Sequence, residues 1–251
     1  MTIPRFYHPE TMASGQIVSL TGDNIHYAQR VLRMRQGDSL DLIDGLGFEY
    51  HAVIRSVGLE GVSVEILKKN AIPDPPLGLT LCQSLLKSDK MDFIIKRSVE
   101  LGVDTFIPFV SSRSVARLSP EAALNKVTRW QKIATESARQ CGRSIFPAVQ
   151  PVLSFDDMLE RSDGGTVKLI FWEAEAERTL RQIFRDGEGR SDDRYCFIVG
   201  PEGGFSGEEI CRAQGKGFLS VSIGKRVLKV ETAVLSVLAI LQYEKGIFRG
   251  V

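Results

Sequence analysis

Apolar and polar residues alternate with a period of two over residues 16–20, 39–43, 49–54 and 62–66, in short runs set apart by Gly, Asp or Asn. That spacing predicts short strands with one buried face. Between the first two runs, residues 23–34 read as a short helix. The N-terminal part of the chain is therefore expected to be a small, half-open barrel of about five strands. Beyond residue 78 the pattern changes. Apolar runs at 79–82, 105–110, 167–172, 195–199 and 218–223 alternate with stretches of helical period. The stretch 88–101 stops at Gly102. The next helix starts at Ser119-Pro120, an N-cap followed by proline at the first helical position, and carries Leu124, Val127, Trp130, Ile133, Ala134 and Ala138 on one face. Pro108 predicts an irregular or edge position for its strand. Strands alternating with helices predict an α/β domain built on a mostly parallel sheet covered on both faces.

The break between the two patterns is Ala71-Ile72-Pro73-Asp74-Pro75-Pro76-Leu77-Gly78, which no helix or central strand accommodates. The expected organisation is a β domain over 1–72, a linker over 73–78 and an α/β domain over 79–251.

Composition narrows the picture by exclusion. The 251 residues are 43% hydrophobic and 25% charged, with 32 Lys+Arg against 31 Asp+Glu for a net charge of +1, so disorder, collagen and a simple coiled coil are excluded. The N-terminus lacks an apolar signal core, and the apolar stretch 233–241 is far shorter than the roughly 20 residues of a membrane span. No membrane association and a cytoplasmic protein are expected. Cys82, Cys141, Cys196 and Cys211 form no CxxC pair, and three of them lie in apolar or helical contexts that predict buried, reduced thiols. His8, His26 and His51 are scattered, so no metal is expected. Charge is regional. Arg113, Arg117, Lys126, Arg129, Lys132, Arg139 and Arg143 face only Glu121 and Glu136 across 111–143, and 212–249 is similarly basic. Such regions are either phosphate-binding surfaces or solvated helix faces.

Candidate chemistry concentrates in two loops. Phe197-Ile198-Val199 runs into Gly200-Pro201-Glu202-Gly203-Gly204-Phe205-Ser206, after which Ser206 and Glu209 have the spacing of a capping box. A glycine-rich loop beyond the carboxyl end of a strand is where open α/β sheets bind ligands. It is neither GxxxxGK[ST] nor GxGxxG, which argues against a P-loop or dinucleotide site. Gly45-Leu46-Gly47 is a hairpin turn. The second loop, Ile223-Gly224-Lys225-Arg226-Val227-Leu228-Lys229, leads into a helix that is apolar all round, and is therefore either a central core helix or part of a subunit interface.

These loops, with Pro4-Arg5-Phe6-Tyr7, the segment His26 to Met34, Gln83 to Lys87, Met91 to Lys96, Val99 to Val103 and Glu136 to Arg143, resemble the RsmE family. These are SPOUT-class methyltransferases that act on N3 of a uridine in 16S ribosomal RNA. The likeness covers nearly the whole chain and departs at Lys225-Arg226 and Lys229-Val230, where members often carry Pro-Arg or Arg-Arg and Arg-Thr. It implies a PUA-like N-terminal domain that helps hold RNA, a C-terminal α/β domain with a trefoil knot, and a homodimer. It also implies an S-adenosylmethionine site formed by Phe171, Trp172, Val199, Gly200, Pro201, Gly203, Gly204, Ile223, Gly224, Val227, Leu228 and Thr232. Partners would be 16S ribosomal RNA or the small ribosomal subunit.

Uracil N3 carries a proton and is a poor nucleophile until that proton is lost. Arg226 is the candidate to stabilise the uracil anion, and Glu202 is either a base or a loop carboxylate in a structural hydrogen bond. Arg30, Arg33 and Arg35, in a stretch without acids from 24 to 36, are candidate phosphate contacts, as are Arg139 and Arg143. The alternatives are a non-catalytic RNA-binding assembly factor and a small-molecule α/β enzyme using the same pocket.

Overall fold

The computed structural model describes residues 3–58, 61–72, 78–114, 118–161, 167–185 and 194–245. Most of the expected linker, residues 73–77, lies outside them, as does Arg117. The chain forms two compact units, one of residues 1–74 with 139–146 and one of 75–138 with 147–251.

In the first unit, strands β1 (Arg5–Tyr7), β2 (Ile17–Ser19), β3 (Ser39–Ile43), β4 (Phe48–Gly58) and β5 (Gly61–Ala71) form one sheet in the order β1-β3-β4-β5-β2. The period-two pattern is realised directly: Leu40, Leu42, Tyr50, Ala52, Ile54, Val62, Val64 and Ile66 fill the core while their neighbours point outward. Gly45-Leu46-Gly47 is the β3–β4 turn. The buried Asp44 carboxylate holds it by accepting from the Leu46 N–H at 2.8 Å and the Tyr50 hydroxyl at 2.9 Å. Burial, foremost, raises the Tyr50 phenol above its ordinary pKa.

The helix expected over 23–34 is interrupted. Helix α1 (Asp23–His26) passes into a π-helical turn (Tyr27–Val31), closed by the Leu32 N–H donating to the Tyr27 carbonyl at 3.0 Å. Arg33 then takes φ 52°. The wider turn lets both Ala28 and Met34 reach the core, which a regular helix over this span would not arrange.

In the second unit, β6 (Gly78–Ser84), α2 (Ser88–Glu100), β7 (Val103–Val110), α3 (Pro120–Cys141), β8 (Ala148–Val149), β9 (Leu153–Ser154), α4 (Phe155–Glu160), β10 (Val167–Phe171), α5 (Leu180–Arg185), β11 (Arg194–Val199), α6 (Gly207–Gly215), β12 (Leu219–Val221) and α7 (Val230–Glu244) follow in order. The sheet runs β12-β10-β11-β6-β7-β8, with β9 beside β7, and every pairing is parallel. Parallel strands bring the carboxyl ends of β10, β11 and β12 to one edge, where the candidate loops emerge.

Several expectations are corrected. Strand β7 is internal and not an edge, but Pro108 does sit at an irregularity, where β8 pairing has ended at Phe106 and β9 pairing has not begun at Phe109, so its missing N–H leaves no gap in a ladder. Leu124 is 68% exposed, because it precedes the part of α3 that is covered from Trp130 onward. Cys82 and Cys196 are buried with their sulfurs 3.7 Å apart, whereas Cys141 and Cys211 are exposed and all four are free thiols. Helix α7 buries Val234, Val237, Leu238 and Leu241 but leaves Tyr243 exposed. Its Gln242 amide donates to the Leu101 carbonyl at 2.8 Å and fills the space beside Gly102, where φ is +86°. Among the described residues no helix is long and apolar enough to cross a membrane, and no group of three His, Cys, Asp or Glu could hold a metal ion.

Candidate active site

The loops after β10, β11 and β12 enclose a cavity of about 520 Å³. The first contributes Phe171, Trp172 and Glu173, the second runs from Val199 to Phe205, and the third runs from Val221 into the start of α7 at Val230 and Ala233. Lys90, in the first turn of α2, completes the wall. Glycine and apolar residues make up most of this lining, the character of a small-molecule site.

The glycines account for the cavity's shape. Gly204 has φ +67°, and a Cβ there would stand 2.0 Å from Glu173 Oε1. A Cβ on Gly203 would stand 3.3 Å from the Cβ of Arg113, whose guanidinium donates to the Gly203 carbonyl at 2.9 Å. Only a loop without side chains at these positions packs so closely against both neighbours.

A buried carboxylate fixes the loop from behind. Ser206 caps α6 in a full capping box with Glu209, which is 1% exposed. Glu209 accepts from the Ser206 N–H at 2.9 Å, and also from the Ser112 N–H at 2.8 Å and the Ser112 hydroxyl at 2.9 Å. Burial acts to raise the Glu209 pKa, but these donors prevail and hold it below the ordinary carboxylate value. The glycine loop is thus tied to the loop that follows β7.

At the rim, Lys90 Nζ lies 3.0 Å from Glu202 Oε1 and 3.5 Å from Glu231 Oε1. Burial acts to raise the Glu202 pKa, but its own backbone N–H and Lys90 prevail and lower it, so the group is ionised and ion-paired at neutral pH. The Lys90 ammonium is correspondingly raised, chiefly by its hydrogen bond to Glu202. Arg226 is exposed at the same rim and, among the described residues, has neither an ion pair nor a hydrogen bond.

Of the sequence-derived candidates, Phe171, Trp172, Val199, Gly200, Pro201, Glu202, Gly203, Gly204, Ile223, Gly224, Arg226, Val227 and Leu228 all line this one cavity. Thr232 does not; it is exposed in the first turn of α7. Val227 is 83% exposed, so it borders the cavity with its side chain largely in solvent. Arg30, Arg33, Arg35, Arg139 and Arg143 belong to the first unit. The first three are exposed, while Arg139 sits over the Tyr7 ring at 5.8 Å and hydrogen-bonds Asn24 at 3.5 Å. Sequence reasoning missed Lys90, Glu173, Arg113 and the tie from Glu209 to Ser112. Glu173 directly follows Phe171-Trp172, so extending that loop by one residue would have found it. No spacing links Lys90 to Glu202.

Comparison with known proteins agrees with this geometry. Residues 73–242 match an RNA methyltransferase domain family and residues 20–67 an RNA methyltransferase PUA domain. The chain is 31% identical to ribosomal RNA small subunit methyltransferase E of Bacillus subtilis, with 92% of each chain covered. The crystal structure of ribosomal RNA small subunit methyltransferase E from Neisseria gonorrhoeae bound to S-adenosylmethionine is 36% identical, superposes with a TM-score of 0.82, and covers 96% of this chain and 98% of its own. A Legionella pneumophila protein solved with bound S-adenosylmethionine is 32% identical with a TM-score of 0.83, covering 97% of this chain and 98% of its own.

Proposed function

We propose that this chain, which belongs to the RNA methyltransferase family of ribosomal RNA small subunit methyltransferase E, transfers a methyl group from S-adenosylmethionine to N3 of a uridine in 16S ribosomal RNA. It is an S-adenosylmethionine-dependent ribosomal RNA methyltransferase with a SPOUT-type α/β domain and a small PUA-like domain. The observation that carries the reading is the single cavity into which the glycine loop, the 223–229 loop and the end of β10 converge.

The cavity fits the methyl donor. Its volume suits a nucleoside-sized ligand, and a side chain at Gly204 would intrude on the wall at Glu173. Main-chain groups of Gly200, Gly203, Gly204, Ile223, Gly224 and Leu228 would hold the donor, with Phe171, Trp172, Val199 and Pro201 supplying apolar wall. Bound there, S-adenosylmethionine supplies an electrophilic methyl on a sulfonium.

What remains for the protein is to align the uridine, exclude water and favour the N3 anion. Arg226, exposed at the rim and unpaired among the described residues, would stabilise the negative charge that spreads onto the uracil carbonyl oxygens. Glu202 is held ionised by Lys90, which makes it a weak proton acceptor; its role in this reading is to position Lys90 and the glycine loop rather than to act as base.

The boundaries of this reading are 1–72 for the PUA-like domain, 73–78 for the linker and 79–251 for the methyltransferase domain. Arg30, Arg33, Arg35, Arg139 and Arg143 would contact RNA phosphates, and the enzyme would act in the cytoplasm as a homodimer. Apolar residues left exposed on the second unit's helices, Phe93 on α2 and Tyr243 on α7, support a self-association face.

The deciding experiment is calorimetric titration of S-adenosylmethionine into the wild type and Gly203→Trp. Saturable binding that the variant loses places the donor at the glycine loop, and mass-spectrometric detection of 3-methyluridine in small subunits then identifies the product. Absence of donor binding to both the free enzyme and its complex with small subunits would refute the reading.

A further inference from the structure

The π-helical turn of the first unit presents a surface that its own fold does not use. Its inner side is anchored by Ala28 and by Met34 just beyond it. Its outer side exposes Tyr27 at 48%, Val31 at 55% and Leu32 at 37%, where a solvated turn would carry polar residues. The Tyr27 ring is set in a T-shaped contact with the buried Phe6, centroids 6.0 Å apart, so its orientation is fixed although half of it faces solvent.

Charge surrounds this apolar strip. Arg30, Arg33 and Arg35 are exposed, and among the described residues their side chains have no ion pair or hydrogen bond. Other arginines of the same unit are paired, Arg5 with Glu49 and Arg55 with Glu65. No acid lies between residues 24 and 36, and Asp38 just beyond them accepts from the Arg35 backbone N–H at 2.7 Å and not from a guanidinium. The backbone is also unusual here. The π-turn is followed by Arg33, the only described residue other than glycine with a positive φ, and such conformations cluster at functional sites.

We propose that this turn is a docking surface for an unpaired stretch of RNA, with a base stacked on Tyr27, the neighbouring ribose or base edge on Val31 and Leu32, and phosphates on Arg30, Arg33 and Arg35. This rests on the RNA reading above and makes it specific. A-form duplex buries its base faces and offers shape, 2′-hydroxyls and phosphates, whereas single-stranded RNA offers faces for an aromatic ring. A surface that needed only duplex phosphates would have no use for an exposed tyrosine between arginines.

The test compares fluorescein-labelled dodecauridine with a blunt RNA duplex of the same length, by anisotropy over a range of salt. Tyr27→Ala is expected to weaken binding of the single strand about tenfold, the size of one lost base stack. Duplex binding should fall less than twofold, and the salt slope of single-strand binding should stay the same. The triple change R30Q, R33Q, R35Q should instead flatten that slope by about 2, since each phosphate contact on a single strand contributes about 0.7. Tyr27→Phe should bind as the wild type does. Tyr27→Leu, which keeps bulk against Phe6 but lacks an aromatic face, should match Tyr27→Ala and guards against a folding defect.

Equal losses on single strand and duplex, a salt slope altered by Tyr27→Leu, full affinity in Tyr27→Leu, or a change of oligomeric mass in that variant would each overturn the proposal. Formation of 3-methyluridine by the wild type on small subunits, followed in parallel, separates this outcome from failure of the enzymatic reading.

Discussion

One methyl group at Gly204 would have to share space with the Glu173 carboxylate, 2.0 Å from where its Cβ would lie, in a backbone conformation of φ +67° that disfavours any side chain. Gly204→Ala is therefore expected to lose about 1–2 kcal/mol of stability from the strained conformation alone. It should also weaken S-adenosylmethionine binding at least tenfold, because Glu173 must leave the cavity wall; thermal melts and calorimetry on the same sample check both. The two rim residues should separate in the same way. Glu202 is already ionised and engaged by Lys90, so Glu202→Gln is expected to lower kcat less than about tenfold, within what general base loss would exceed. Arg226→Ala removes the guanidinium argued to meet the developing charge, and should lower kcat about 100-fold or more with donor affinity little changed. Single-turnover methylation of small subunits reads both. The glycines were legible in the sequence because their excess over what a turn needs is itself a signal. Lys90 was not, since its partnership with Glu202, more than a hundred residues away, is decided by strand order and not by spacing.

Among elements, the start of α6 shows how much local pattern can and cannot say. The Ser206-x-x-Glu209 spacing announces a capping box, and both of its bonds are present. The same carboxylate also accepts from Ser112 through its N–H and hydroxyl, a long-range use that the motif does not encode. Glu209→Gln is expected to destabilise the protein by about 2 kcal/mol at neutral pH, because charge-assisted hydrogen bonds are weakened and one acceptor oxygen becomes a donor facing donors. The pH dependence has a definite sign. The folded-state pKa lies below the unfolded value, so the stabilisation is complete above about 4.3 and is lost as pH falls through the lower folded value. Urea unfolding at pH 7 and at successive steps below pH 4.3 should show the wild type and variant converging; a constant gap would refute the assignment. The helix expected over 23–34 makes the complementary point. The span reads as one short helix, but burying both Ala28 and Met34 takes a π-turn, and the period of 3.6 has no symbol for that.

At the scale of the whole molecule, the order of elements was the most legible feature, because strands that alternate with helices have few ways to pack other than as a parallel sheet. What alternation leaves open is sheet order, here β12-β10-β11-β6-β7-β8, and it is this order that sets the loops after residues 171, 199 and 221 side by side. Nor does linear pattern reveal that residues 139–146 pack with the first unit rather than with the helix they end. Helix α7 links the cavity to the proposed assembly. Its first turn lines the pocket through Val230 and Ala233, while Tyr243 in its last turn is 58% exposed. Its middle, Leu235, Ala239 and Ile240, is only half-buried, and the all-apolar sequence that predicted burial on most sides is unsatisfied within one chain. A stable dimer needs about 800 Å² from each partner, which α7 and the exposed Phe93 of α2 would have to begin to supply. Sedimentation equilibrium should accordingly give about twice the 27.8 kDa chain mass. Tyr243→Asp, which places a charge in that face, should return the protein to monomer. If α7 is shared between the proposed interface and the pocket, the monomeric variant should bind S-adenosylmethionine more weakly than the wild type. A monomeric wild type with full donor affinity would show instead that α7 serves the pocket alone.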